Sequence, residues 1–172
     1  MTDLERIKLL SKRLKTKATK TSIEEIIDLD VFVEYENFNY TLNSRRNVVA
    51  LRLHHLTIDE VVMNNIRELK DITFLRISNC KLKEIAKGDY LHKIEELCLD
   101  GNQISDLTPL RGLVNLKNLS MWSNRISDLT PLSTLVQLNS LNLGGNQLTD
   151  ITVLSKIGRA SCRERCRSRW SP

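Results

Sequence analysis

From residue 94 onward the chain repeats itself every 22 residues. Leu97, Leu119 and Leu141 stand one step apart, and the same step links Leu99, Met121 and Leu143; Asn102, Asn124 and Asn146; Ile104, Ile126 and Leu148; Asp106, Asp128 and Asp150; and Leu110, Leu132 and Leu154. Six columns in one register exclude coincidence. One step earlier come Ile72, Leu75, Ile77, Cys80, Leu82 and Ile85, with cysteine in the asparagine column. Before them Val48, Leu51, Leu53, Leu56, Ile58 and Val61 match after a step of 24 residues. The frames therefore begin at Val48, Ile72, Ile94, Leu116 and Leu138. A period of this length marks a solenoid, in which each unit buries its apolar face only against its neighbours.

The columns follow from the physics of one frame. In Glu95 to Leu99, Leu97 and Leu99 have strand spacing, so both point inward while Glu96, Cys98 and Asp100 point outward. The chain must then turn within a few residues, and the amide of Asn102 is suited to bond the backbone groups that such a turn strands in the interior. Ile104, Leu107, Leu110 and Leu113 line the return path, where Pro109 forbids a regular ladder and short turns are expected. Asp106, Asp128 and Asp150 are read as satisfying their own local turns, not as a calcium column. Stacking places the strands side by side as a parallel sheet on a concave surface.

The segments read Leu-x-x-Leu-x-Leu-x-x-Asn-x-Ile, extended by Asp-Leu-Thr-Pro-Leu at Asp106 to Leu110 and Asp128 to Leu132. This pattern resembles the short 22-residue class of the leucine-rich-repeat family and is similar to internalins and to leucine-rich regulatory subunits of protein phosphatase 1. The resemblance implies an α/β repeat fold: a leucine-rich-repeat solenoid with a parallel β-sheet on the concave face and short turns or 3-10 segments on the convex face. It covers about two thirds of the chain and speaks of fold, because many unrelated functions share these columns. Cys80 in place of asparagine, and Lys87 and Gly88 in place of Thr-Pro-Leu, are departures that make the early coils less regular. The two extra residues of the first frame leave room for a helical turn within Glu60 to Leu69.

An array needs covers at its ends. Residues 21–47 form a candidate N-terminal cap: Ser22 and Glu25 suggest a capping box for a helix over Ile23 to Leu29, and Val31, Val33, Tyr35, Phe38, Tyr40 and Leu42 alternate in a patch suited to the first coil. Residues 1–20 carry Arg6, Lys8, Lys12, Arg13, Lys15, Lys17 and Lys20, with Leu4, Ile7, Leu10 and Leu14 near helical spacing. They are read as a helix or frayed terminus packing one edge on the cap, in preference to a basic amphipathic helix for membranes or nucleic acid. Residues 48–156 are the repeats. Ile157 to Pro172 breaks from everything before it, and back-translation fits a common sequencing adapter with one base lost. It is therefore expected to be non-native, to carry no functional weight, and to cut the fifth frame short, leaving Leu141, Leu143, Leu148, Ile151 and Leu154 uncapped.

That tail distorts the composition. The formal net charge is +5 with four cysteines, but the tail holds five arginines against one glutamate, so without it 21 basic residues face 20 acidic ones. The basic protein disappears, and with it Cys162 and Cys166 as a metal or nucleic-acid knuckle. Cys80 and Cys98 are read as reduced thiols. No apolar run suits a signal peptide or membrane span, so a cytoplasmic monomer is expected, with no nucleic-acid partner.

Chemistry is sparse. No phosphate-cradling loop, metalloprotease helix or nucleophile elbow occurs. His54 and His55, adjacent on a strand, should face opposite ways, and His92 stands alone. No catalytic residue, cofactor or metal is expected. Function is sought on the outward positions of the sheet, where Phe74 and Trp122 are candidate exposed anchors, Arg52, Arg76, Glu96 and Asp100 give orientation, and His54, Asn118 and Asn142 complete the face. The expected role is a non-catalytic protein-binding module. The alternatives are the recognition arm of a larger enzyme or signalling protein, and an internalin-like adhesin.

Overall fold

Alternation of apolar and polar residues in each frame produces a strand with one face turned to the interior, and the frames stack these strands in sequence order. The computed structural model describes residues 1–20, 38–155 and 157. Helix α1 (Asp3–Arg13) is followed by β1 (Thr19–Lys20), β2 (Phe38–Leu42), β3 (Val48–His54), helix α2 (Glu60–Arg67), β4 (Phe74–Ser78), β5 (Glu96–Cys98), β6 (Asn118–Ser120) and β7 (Ser140–Asn142). The seven strands form one sheet in the order β1 to β7. Strands β3 to β7 are parallel, in the register Leu51, Leu75, Leu97, Leu119 and Leu141. Those leucines, with the columns from Leu53 to Leu143 and from Val48 to Leu138, fill one continuous core.

The return paths differ along the array for a local reason. In the first coil the two extra residues are used as expected: Asp59 accepts from the Val62 amide at 2.9 Å and starts α2, which buries Val62 and Ile66. Later coils return through single 3-10 turns, Asp89–Leu91, Thr108–Leu110, Thr130–Thr134 and Thr152–Ser155. Asp106, Asp128 and Asp150 each accept from the amide two residues on, at 2.8 Å, and so begin the turns they were assigned. The Thr108 and Thr130 hydroxyls and amides hold the carboxyls of Asp106 and Asp128 below the ordinary value.

A further column emerges at the strand ends. His55, Asn79, Gly101, Ser123 and Gly145 all have φ between 52° and 69°. This left-handed residue turns the chain out of the sheet. Its amide still donates to the next coil, from Asn79 to Asp100, from Gly101 to Trp122 and from Ser123 to Gly144, at 2.8 to 2.9 Å. Glycine meets the steric demand at Gly101, where a Cβ would lie 1.9 Å from Asn79 Oδ1.

The asparagine ladder does more than close each turn. Asn102 Nδ2 donates to Leu99 O in its own coil at 2.9 Å and to Ile77 O in the preceding coil at 2.8 Å, while its Oδ1 accepts from Cys80 and Leu82 amides. Asn124 repeats the pattern with Met121 O, Leu99 O and the Ile104 amide, and Asn146 with Leu143 O, Met121 O and the Ile126 amide. Cys80 occupies the same column and mimics it weakly, its thiol 3.8 Å from Leu53 O and 3.2 Å from Ser78 O. Burial raises that thiol to about 11, and both Cys80 and Cys98 are free and buried.

The two ends of the array are closed to different degrees. Helix α1 places Ile7 and Leu10 in the core, Asp3 accepts from the Val48 amide at 2.8 Å, and Arg13 pairs with Asp59 at 2.6 Å, so the N-terminal helix packs on the first coil. Strand β2 adds to the sheet antiparallel to β3, with Phe38 fully buried. The expected helix over Ile23 to Leu29 and the residues Val31, Val33 and Tyr35 lie outside the described residues. At the far end Leu141 and Leu143 are buried and Ile151 is exposed. Ile157, the first residue of the tail, is 3% exposed and joins the core cluster. No helix among the described residues is long and apolar enough to cross a membrane.

The ladder sets two expectations for stability. Asn124→Ala orphans the buried Ile104 amide and leaves Leu99 O and Met121 O with one asparagine bond each, from Asn102 and Asn146, and should cost about 2 kcal/mol, read as a lower urea midpoint; an unchanged midpoint would remove the ladder from the energetics. Cys80→Asn should raise stability by about 1 kcal/mol by supplying the shorter amide bonds made by the later coils, measured in the same titration.

Candidate binding face

Three rows of side chains cross the outer face of the sheet. The register places Ala50, Phe74, Glu96, Asn118 and Ser140 in one row, and Arg52, Arg76, Cys98, Ser120 and Asn142 in the next. A third runs through His54 and Ser78 to Asp100, Trp122 and Gly144 just beyond the later strands. Exposure changes along these rows. At the β3 and β4 end Ala50, Phe74, Arg52 and Ser78 are buried and Arg76 is half-buried. From β5 onward Glu96, Asn118, Asp100, Ser120 and Asn142 are half-buried, and Trp122 is 52% exposed.

Three expectations about this face are corrected. Phe74 is not an exposed anchor: it is 5% exposed and forms a separate small apolar cluster with Ala50, its partner across the parallel pair, where the small side chain leaves room for the ring. Arg52, likewise, is 7% exposed and presents little surface. His54 and His55 do not diverge either. The positive φ of His55 folds its ring back, and the two rings meet edge to face with centroids 4.1 Å apart. Burial, with the charges of His55, Arg52 and Arg76, lowers His54 to about 4. Among the described residues no group of three or more histidine, cysteine, aspartate or glutamate side chains is placed to hold a metal ion.

Around Trp122 the geometry is defined. Asp100 Oδ1 accepts from Ser120 Oγ and from the Trp122 amide, both at 2.7 Å, which fixes the carboxylate beside the start of the tryptophan turn. The indole leans over Gly144, where an added Cβ would come within 3.0 Å of its Cδ1 and 3.4 Å of its Nε1. Asn142 Oδ1 accepts from the Gly144 amide at 3.3 Å. Ser120 and Gly144 were not singled out from the sequence. Their signal was the repeat itself, since Gly144 lies one step after Trp122 and Trp122 one step after Asp100.

Residues 114–156 match the family model described as leucine-rich repeats in two copies. Over those residues the coils are similar to leucine-rich repeats. The solenoid also resembles solved structures of two proteins of Listeria monocytogenes. Internalin C2 shares 29% identity at a TM-score of 0.49, covering 64% of this chain and 58% of its own. Internalin F shares 21% at a TM-score of 0.49, covering 69% and 43%. The chain thus spans less than two thirds of either protein. A comparison with curated proteins gives no match.

In this array the half-buried histidine gives a pH signature. The unfolded chain takes up a proton at His54 near pH 6.5, whereas the folded chain does so only near 4. Stability should therefore fall as pH drops through that interval. His54→Gln should flatten this part of the stability profile in chemical denaturation; an unchanged slope would assign the acid sensitivity to other groups.

Proposed function

We propose that the array is a non-catalytic protein-binding module whose partner lies against the concave face at β5 to β7. The observation that carries this reading is Trp122, a large aromatic side chain 52% exposed on a sheet whose backbone is fixed by the coils on either side. Aromatic side chains dominate the energy of protein interfaces, because they bury much apolar area while losing little rotamer freedom. Repeat solenoids present extended concave surfaces of this kind. Asp100 and Asn142 lie near the indole, and Asn118 and Glu96 carry polar groups further along the same face. Arg52, Arg76 and His54, with Phe74 in the adjoining row, belong to the more buried end and contribute less to contact.

The test is affinity capture with the immobilised full chain. Trp122→Ala should reduce recovery of the partner at least tenfold, and Asn142→Ala several-fold, without lowering the thermal midpoint. Arg125→Ala, an exposed position off the sheet, should leave recovery unchanged. Full recovery with Trp122→Ala would move the interface away from this face.

A further inference from the structure

The surroundings of Trp122 restrict what the partner presents to it. Among the outward positions of β5 to β7 and the turn residues that follow them, the charged side chains are Glu96 and Asp100. The nearby lysines at the strand starts are already paired, Lys93 with Asp71 and Lys117 with Glu95, each at 2.6 Å. Arg76 lies one strand away, beside Cys98 in register. The charged residue one repeat step from the exposed indole on the sheet is thus the Asp100 carboxylate, while Arg125 is exposed three residues further along the chain.

The carboxylate and the ring are held relative to each other. Asp100 Oδ1 takes two hydrogen bonds, one of them from the backbone amide of Trp122 itself, and these leave the second oxygen for another donor. The indole has Gly144 beneath it, so the ring settles against the sheet, where a larger residue would lift it. An aromatic face with an anchored carboxylate at its side is complementary to a planar cation, which stacks on the ring and donates to the oxygen. A guanidinium does both with one rigid group, whereas an ammonium offers a compact, more strongly hydrated charge.

We infer that Trp122, Asp100 and Gly144 form a receptor for an arginine side chain of the partner protein. This deepens the binding reading above and rests on it. Asp100 neutralises the guanidinium, Trp122 stacks on it, and Gly144 sets the height of the ring. Glu96, four residues earlier on the same face, adds to the attraction without reaching the same cation, since four residues of strand span about 13 Å.

The experiment follows the indole Nε1 proton of Trp122 by NMR in the full chain carrying Trp170→Phe, so that one indole signal remains. The probes are the blocked pentapeptides Gly-Ser-Arg-Ser-Gly and its citrulline and lysine counterparts. The arginine peptide should give a saturable shift, at least fivefold tighter than citrulline, its uncharged isostere, and tighter than lysine. Asp100→Asn, which keeps an acceptor for both local bonds, should weaken arginine binding at least fivefold, and Gly144→Ala should weaken it while leaving the fold intact by backbone chemical shifts. No shift with arginine, or equal shifts with arginine and citrulline, would overturn the assignment, and equal binding of lysine would overturn its guanidinium part. If partner capture depends on Trp122 while the arginine peptide produces no shift, the receptor falls and the binding face stands. If capture is indifferent to Trp122, the binding reading falls first.

Discussion

The amide of the ladder asparagine is the interaction on which the rest of the molecule depends. A coil of 22 residues must reverse direction inside its own core, and each reversal buries backbone groups that no regular ladder can pair. Asn102, Asn124 and Asn146 satisfy them with one side chain, and every one reaches back to a carbonyl of the preceding coil. The bond that closes a turn is therefore also a bond between coils. Local structure and stacking are the same event, so no coil folds by itself and the register is carried from one strand to the next.

This arrangement separates what holds the protein together from what it can present. The inward columns and the asparagines account for the core, and the outward rows are left to vary. The sequence uses that freedom unevenly. Near β3 and β4 the outward side chains pack on one another, Phe74 on Ala50 and Ser78 beside Cys98 at 3.5 Å, so that part of the face is consolidated. Near β6 and β7 the outward residues are small or polar and a lone tryptophan stands above them. Exposure, not residue type, distinguishes the anchor from the filler.

Much of this was legible in the residues. The frames, the inward columns, the short convex returns and the asparagine bonds follow from a period of 22 and from the geometry of a strand. Three features were not. The burial of Phe74 depends on Ala50 lying across the parallel pair, and alternation assigns only a side of the sheet, not a depth. His54 and His55 meet because His55 takes a left-handed turn, and nothing in two adjacent histidines announces that φ; the column through Asn79, Gly101, Ser123 and Gly145 shows it only once the coils are aligned. The antiparallel pairing of β2 is a tertiary choice, for an alternating segment pairs in either direction.

The two extra residues of the first frame show why a site on this sheet keeps its geometry. They are absorbed on the convex side, where α2 replaces a 3-10 turn, and the concave register is undisturbed: Arg52 stands opposite Arg76 although 24 residues separate them. Neighbouring strands of any sheet lie about 4.8 Å apart, so residues at one height are spaced by the backbone, not by their side chains. Asp100, Trp122 and Gly144 come from three coils and are held in one row by that spacing. A change in length on the outer side of a coil alters the array's curvature before it alters this row, which is why chemistry that needs a carboxylate, a ring and a gap at fixed separation can be assembled from single residues of successive repeats.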